Sequence, residues 1–194
     1  TLVTGAAVAA ALASVGWQGW QWYQGKQTAE ASALYAVLQK AASEKNTQKS
    51  REAAGALIEK YNGTAYADMA ALLSAKVQAE AGDLKNARVP LAWAATKASD
   101  PALRELARLR LATVMFDDKA YDEALAQLQA PTDESLVARF ADLKGDILLA
   151  QGKREEARAA YKAVVTALET TTKSESAALR EIAQAKLDAV GGAQ

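Results

Sequence analysis

The sequence predicts an all-α fold made of helical hairpins, and three observations support that class. Alanine, which loses least on entering a helix, fills 48 of the 194 positions, whereas there are only 3 prolines and 11 glycines. Hydrophobic residues make up 51% of the chain and charged residues 24%, so a core of ordinary size can form. The helical pattern also returns with a period of about 34 residues, the length of a two-helix repeat.

Charge and composition exclude several classes of function. The 23 basic and 23 acidic side chains cancel, so no overall field attracts nucleic acid, and we expect no nucleic-acid partner. The chain has no histidine and no cysteine, which removes the usual general base, the commonest metal ligand, the thiolate nucleophile and any disulfide. We therefore expect no enzyme, no catalytic residue, no cofactor and no metal site.

The first 25 residues form a distinct apolar segment. No charged residue occurs before Lys26, and the run from Leu2 to Trp22 is as long as the roughly 20 residues that a helix needs to cross a bilayer. We therefore expect a transmembrane helix over residues 1–25. A cleavable signal peptide and a buried hydrophobic helix of a soluble protein are the alternatives.

Aromatic residues crowd the end of this segment. They are Trp17, Trp20, Trp22 and Tyr23. Amphipathic rings of this kind are enriched where a membrane meets water, because the ring body lies in lipid and the polar group in water. We predict that these four residues form a membrane interface in contact with lipid. The charged flank that would set the topology is missing on the N-terminal side, so charge does not fix the orientation.

The rest of the chain is divided into helices by short breaks with capping chemistry. Asn62-Gly63 ends one helix, Asp100-Pro101 begins another, and Pro131 stops a third. Thr172 and Glu175 form a capping box for the last helix. We expect nine helices, with ends placed to within about 2–4 residues, near 26–45, 48–62, 65–82, 84–98, 101–117, 120–130, 133–151, 153–170 and 173–190.

Four alanines mark the same place in successive hairpins. They are Ala53, Ala87, Ala124 and Ala157, separated by 34, 37 and 33 residues. A 34-residue helix-turn-helix unit is the period of tetratricopeptide repeats. The sequence therefore predicts a tetratricopeptide-like solenoid over 26–190, with about four hairpins, a C-terminal capping helix and a tail at 191–194. An irregular bundle in which abundant alanine mimics the repeat is the alternative.

The fourth hairpin carries the repeat pattern most fully. Gly145 and Ala157 supply the small side chains that let two helices approach closely, and Tyr161 fills the space beside them. Pro90 interrupts the pattern, because it falls inside the second helix of the second hairpin, where we expect a bend or a delayed start.

The first helices of the hairpins should line the concave face of such a solenoid. Apolar and charged groups mixed on that face suit an extended peptide or a partner helix. The repeat offsets select six protein-binding candidates: Leu109, Thr113, Phe116, Arg139, Asp142 and Asp146. Arg139 and Asp142 are three residues apart on one helix, so a pair between these two side chains is the alternative.

The order of these parts resembles a known family. An alanine-rich membrane helix ends in Gly16-Trp17, a long helix over 29–42 carries Tyr35, and residues 141–161 join Gly145 and Gly152 to the Ala157–Tyr161 helix. This arrangement is similar to the ancillary SecYEG translocon subunit of the YfgM type. The similarity covers nearly the whole chain, and residues 141–161 are its most specific segment.

The resemblance implies a non-catalytic protein of the bacterial inner membrane. It implies one N-terminal span and a periplasmic repeat domain that joins the SecYEG translocon and a membrane-anchored periplasmic peptidyl-prolyl isomerase chaperone. The role implied is to assist hand-over of exported chains to periplasmic chaperones. The family's short cytoplasmic tail is missing from this sequence, so its contacts are not carried over. The alternatives are a periplasmic repeat protein of envelope assembly not tied to the translocon, and an all-α enzyme.

Overall fold

The computed structural model describes residues 2–169 and 174–191, with side chains from residue 12 to 169 and from 176 to 191. Within these residues the secondary structure consists of nine α-helices, which confirms the all-α class. The helices are α1 (Leu2–Ser43), α2 (Thr47–Lys60), α3 (Ala65–Glu80), α4 (Leu84–Lys97), α5 (Pro101–Asp117), α6 (Tyr121–Gln127), α7 (Glu134–Ala150), α8 (Arg154–Leu168) and α9 (Ser174–Gly191). The predicted capping box of Thr172 and Glu175 lies outside the described side chains.

The chain forms two compact units, Thr1–Ser74 and Ala75–Gln194, which divide inside α3. In the first unit the C-terminal half of α1 packs on α2 and on the start of α3. Its core is made of small and branched apolar side chains, namely Ala31, Leu38, Ala53, Ala54, Leu57 and Ala70. The alanines in this set let the helices approach closely, and the two leucines fill the space that remains.

The first helix differs from the sequence prediction. We expected a separate helix to begin near residue 26, whereas α1 continues without a break from Leu2 to Ser43. Two side-chain hydrogen bonds, each between residues one helical turn apart, cross the expected boundary near residue 26. Gln27 Nε2 donates to the Tyr23 hydroxyl at 2.8 Å, and Thr28 Oγ1 donates to the Gln24 carbonyl at 2.8 Å. Since no proline interrupts the chain there, the backbone hydrogen bonds of the helix continue past Gly25.

The predicted membrane helix over 1–25 is therefore the N-terminal part of α1. Side chains 1–11, which carry much of its apolar run, lie outside the described part of the chain. In the portion that is described, no helix combines the length and the apolar character needed to cross a membrane.

In the second unit, consecutive helices pack against one another as antiparallel pairs. The most extensive contacts are those of α4 with α5, α7 with α8, and α8 with α9. Small residues lie at the predicted crossing positions, since Ala112 and Ala124 are buried between α5 and α6. Ala157 is likewise buried between α7 and α8. The packing confirms that the hairpins are of the tetratricopeptide-like kind.

Gly145 of α7 packs directly against the ring of Tyr161 of α8. A Cβ atom built on Gly145 would lie 2.6 Å from Cδ1 and 2.9 Å from Cζ of Tyr161. No real Cβ contact is that short, so the Tyr161 ring occupies the space that any side chain at position 145 would need. The predicted roles of Gly145 as the small residue and of Tyr161 as the aromatic filler are thus visible in the packing.

Four hairpin turns share one backbone geometry. The turn residues Lys45, Gly82, Lys119 and Gly152 have φ of 53°, 79°, 60° and 77°. In each turn the next residue donates its N–H to a carbonyl five residues back, over 2.8–2.9 Å. This is the Schellman arrangement that ends a helix with a left-handed residue. The hydrogen-bonded turn therefore recurs in all four hairpins, including the two that lack glycine.

Exchanging glycine and L-residues at these turns should change stability in opposite directions. We expect Lys119→Gly to stabilise the fold by about 1 kcal/mol and Gly152→Ala to destabilise it by about as much, because only glycine adopts positive φ without strain. No heavy atom lies within 4 Å of a Cβ built on Gly152, so crowding does not contribute. Thermal unfolding of the two variants measures both effects. An unaltered Tm for Gly152→Ala would contradict the left-handed turn.

The short helix α6 departs from the predicted range of 120–130. It ends at Gln127, because Pro131 keeps the preceding residue out of helical geometry and Arg108 binds the free carbonyls at the helix end. The Arg108 guanidinium donates to the carbonyl oxygens of Gln127 at 3.0 Å and Gln129 at 2.7 Å. Arg108 of α5 thus binds carbonyl oxygens that a longer α6 would have paired within the helix.

Pro90 is buried within α4. The helix starts at Leu84 and continues past Pro90 to Lys97, so of the two expected outcomes the delayed start is wrong and the bend stays a prediction. Proline has no N–H to give to the carbonyl four residues earlier, and that bond is missing from the helix.

Candidate functional site

The predicted binding residues of α5 divide into a packed pair and an exposed one. Leu109 and Phe116 are partly buried against the cluster around Phe140 and Ile147. Thr113 is exposed, and its hydroxyl donates to the Leu109 carbonyl at 3.0 Å. Leu109 and Phe116 thus support the core, and the exposed surface between them is centred on Thr113.

The predicted carboxylates of α7 are brought together by α9. Lys186 Nζ lies 2.8 Å from Asp142 Oδ1 and 2.8 Å from the Asp146 carboxylate. All three side chains are largely withdrawn from water, with exposed fractions of 28% for Lys186, 19% for Asp142 and 29% for Asp146. Asp142 therefore pairs with α9, whereas Arg139 is exposed on the same helix.

Tyr161 extends this polar network into α8. Its hydroxyl donates to Asp146 Oδ1 at 2.7 Å, and Lys186 Nζ lies 5.5 Å from the ring centroid. Burial raises the pKa of Tyr161, and the adjacent Asp146 carboxylate raises it further, so the phenol stays protonated. Burial alone would lower the pKa of Lys186, but hydrogen bonds and charges from the two carboxylates outweigh burial and raise it. The network thus holds an ammonium between two acidic side chains.

Lys186 is not among the residues predicted from the sequence, although the spacing of apolar residues in α9 carries a signal for it. The side chains of α9 that face α8 follow a helical spacing through Leu179, Ala183, Leu187 and Val190. Lys186 falls on that apolar face, three residues after Ala183 and four before Val190. A cation on the inner face of a helix needs a buried partner, and the i, i+4 pair of Asp142 and Asp146 supplies it.

An open groove lies beside Arg139. It has a volume of about 670 Å³ and is formed by the start of α7, the end of α8 and α9. Its apolar lining includes Leu136, Leu168 and Leu179, and Glu134 and Arg139 are charged groups at its edge. A mixed surface of this kind suits a peptide or helix better than a small molecule.

Glu105 fixes the loop that leads into α7. Its buried carboxylate accepts hydrogen bonds from the Thr132 hydroxyl at 2.6 Å, the Thr132 N–H at 2.8 Å and the Asp133 N–H at 3.0 Å. These hydrogen bonds lower the pKa of Glu105 despite burial, and the Arg108 charge acts in the same direction. Glu105 thus holds the start of α7 against α5 and keeps the two parts of the predicted binding face in place.

Replacing Glu105 should weaken this attachment in a pH-dependent way. We expect Glu105→Gln to lower the free energy of unfolding by about 2 kcal/mol at neutral pH, because a charged acceptor of three hydrogen bonds is lost. A lowered pKa stabilises the fold above the unfolded value and loses that effect as pH falls through the folded value. The difference from the parent should therefore shrink below pH 4.5. Urea unfolding at several pH values measures this difference in the free energy of unfolding. Glu156→Gln, at an exposed position, is the control. A difference between Glu105→Gln and the parent that does not change with pH would contradict the role of the charge.

The predicted interface residues of α1 are all exposed. Trp17, Trp20, Trp22 and Tyr23 each leave more than half of their surface uncovered, with exposed fractions of 60%, 54%, 69% and 53%. The rings of Trp17 and Trp20 are 5.4 Å apart, and Lys26 Nζ lies 5.7 Å from the Trp22 ring centroid. Exposed aromatic residues at this density are typical of a surface that contacts a partner or a membrane, so the membrane interface stays a prediction.

Comparison with known proteins agrees with the fold. A family described as a tetratricopeptide repeat-like domain matches residues 1–192. The chain is 35% identical over 141 residues to a protein of Haemophilus influenzae, covering 71% of this chain and 67% of that protein. A protein of Neisseria gonorrhoeae is 30% identical over 165 residues, covering 84% and 77%. One from Escherichia coli is 33% identical over 114 residues, covering 59% and 55%.

Paired helices, recurring left-handed turns and small residues at the crossings define a tetratricopeptide repeat-like protein. The three relatives above are each named ancillary SecYEG translocon subunit. The chain belongs to this family of ancillary SecYEG translocon subunits, which confirms the resemblance predicted from the sequence.

Proposed function

We propose that this protein is a membrane-anchored scaffold that binds other proteins at the SecYEG translocon and assists hand-over of exported chains to periplasmic chaperones. The observation that carries the proposal is the similarity to relatives named ancillary SecYEG translocon subunit, two of which cover 71% and 84% of this chain. A membrane-anchored periplasmic peptidyl-prolyl isomerase is the chaperone partner in this proposal. The protein acts by binding and carries out no chemistry of its own.

The proposal places the protein in the bacterial inner membrane, with the first 25 residues as a single-pass anchor and the repeats in the periplasm. Two features support the anchor: no charged residue precedes Lys26, and every described side chain from Leu12 to Lys26 is exposed. An exposed segment rich in tryptophan has a favourable environment at the surface of a bilayer. Lipid would then cover the aromatic residues that the first unit leaves uncovered.

The binding face of the proposal is formed by α5 and α7. The six predicted residues remain its candidates, and Thr113 and Arg139 are its most accessible members. Exposed residues can be altered without removing core contacts, whereas Phe116 packs on the cluster of Phe140 and Ile147. Thr113 and Arg139 are therefore the positions at which binding can be separated from folding.

A double variant of this face should lose its partners. We expect Thr113→Glu with Arg139→Glu to weaken co-purification of translocon subunits from detergent-solubilised membranes by at least about tenfold, since each lost contact costs about 1–3 kcal/mol. Helical content by circular dichroism should not change. Quantitative mass spectrometry of the purified complexes gives the measurement.

A matched control is available on α8, where Lys162→Glu with Thr166→Glu introduces the same kinds of change at exposed positions. This control should retain the partners. Replacing residues 1–25 with an unrelated membrane helix separates recognition by the repeats from recognition by the anchor. Equal recovery from the double variant and the parent would refute the α5–α7 face, and no translocon subunit with the parent would refute the proposed function.

A further inference from the structure

The terminal helix α9 buries few of its side chains. Of the side chains described from residue 176 to 191, only Ala183 and Val190 are buried, and Leu179 and Leu187 are partly buried beside them. Ala183 packs on Val164 and Leu168 of α8, and Val190 packs near Tyr161. An element with so little buried apolar surface has a low free energy of local opening compared with the helices beneath it.

Lys186 lies between these two apolar contacts and joins α9 to α7. Its ammonium is 2.8 Å from both Asp142 and Asp146, and Asp146 is in turn held by the Tyr161 hydroxyl at 2.7 Å. These contacts involve largely buried groups, so salt and water weaken them little. Lys186 is thus placed to hold α9 against the rest of the unit.

Through these contacts, Lys186 of α9 covers two of the candidate binding residues. Asp142 and Asp146 belong to the predicted binding face, and while α9 is docked their carboxylates are occupied by Lys186. Any other segment that binds there must displace Lys186 and supply a cation of its own, because two partly buried carboxylates without a partner would be costly.

We propose that α9 is a releasable cap, held by Lys186, which opens independently of the other helices of its unit and competes with protein partners for Asp142 and Asp146. The partner class is a segment that carries a lysine or arginine side chain. The competition rests on the proposed function, whereas the release does not.

The absence of cysteine from the chain makes the release measurable. Two single-cysteine variants are compared, Ala183→Cys between α9 and α8, and Ala157→Cys between α8 and α7, both at fully buried positions. Labelling of the folded, full-length chain with iodoacetamide reports how often each site opens. We expect the Ala183→Cys protein to react at least about tenfold faster than the Ala157→Cys protein.

Adding Lys186→Met should raise labelling of the Ala183→Cys protein about tenfold and leave labelling of the Ala157→Cys protein within about twofold. Arg180→Met, on the exposed face of α9, is the matched control and should change neither rate. Hydrogen exchange of α9 and α8 amides, with and without Lys186→Met, repeats the comparison without cysteine. Equal opening of the two helices, or equal effects of Lys186→Met on both, would overturn the release.

The competition between α9 and protein partners is measured by co-purification. Lys186→Met should increase recovery of translocon subunits at least about twofold over the parent, because the two carboxylates become accessible more often. Unchanged or reduced recovery, in a preparation where the parent does bring down the translocon, overturns the competition. If the parent brings down nothing, the proposed function and the competition fail together, and the labelling rates still decide whether α9 is released.

Discussion

Ala157→Trp is expected to destabilise the second unit by about 3 kcal/mol or more, because the α7–α8 crossing leaves no room for an indole. Ala157 is fully buried beside Tyr161 and Leu148, so the two helices must separate to admit the larger side chain. Overpacking of a tight crossing is costly, since neighbouring side chains are forced out of their rotamers. Urea unfolding followed by circular dichroism measures the loss.

Ala159→Trp is the matched control for this prediction. Ala159 lies two residues further along the same helix and is exposed, so its substitution should change the free energy of unfolding by less than about 1 kcal/mol. Equal losses from the two variants would contradict the packing of α8 on α7 and, with it, the repeat register of the fourth hairpin.

Gly145→Ala is expected to be nearly as harmful, at about 2–3 kcal/mol, although alanine is the better helix former. The added methyl group would lie 2.6 Å from Cδ1 of the buried Tyr161 ring. The ring cannot move away easily, because its hydroxyl donates a hydrogen bond to Asp146. Thermal unfolding of the single variant gives the effect.

A double variant tests whether the clash is the cause. Tyr161→Leu removes the ring, so Gly145→Ala should cost much less in that background than in the parent. Gly55→Ala is a control of opposite sign: Gly55 is an exposed position of α2 with no atom within 4 Å of an added Cβ, and alanine there should stabilise by about 0.5–1 kcal/mol. Additive losses from Gly145→Ala and Tyr161→Leu would refute the clash.

Local chemistry was enough to predict most of the helices, because each break carries its own signal. Asp100 accepts a hydrogen bond from the Ala102 N–H at 2.8 Å, as its place before Pro101 suggests. The end of α6 depends instead on Arg108, nineteen residues before Gln127. A contact between distant residues of this kind leaves no periodic trace in the sequence, and for that reason the predicted helix was too long.

The contacts of the predicted binding face could likewise be predicted only in part from the sequence. Repeat offsets identified Asp142 and Asp146 as side chains that share one face of α7, and both do contact one ammonium. The offsets gave no information about what lies opposite, because Lys186 belongs to a helix beyond the last full repeat. Glu105 was missed for a related reason, since its partners Thr132 and Asp133 lie in a loop, where helical periodicity does not apply.

The uninterrupted course of α1 has a mechanical consequence for the first unit. From Leu12 to Ser43 a single helix carries the exposed tryptophans at one end and the core residues Ala31 and Leu38 at the other. No proline interrupts this stretch, and the helix continues without a break through Gly16, Gly19 and Gly25. Tilt or rotation imposed on the tryptophans is therefore transmitted to the α1–α2 hairpin as by a rigid lever. The orientation of the α1–α2 hairpin is then set by the surface that the aromatic residues bind.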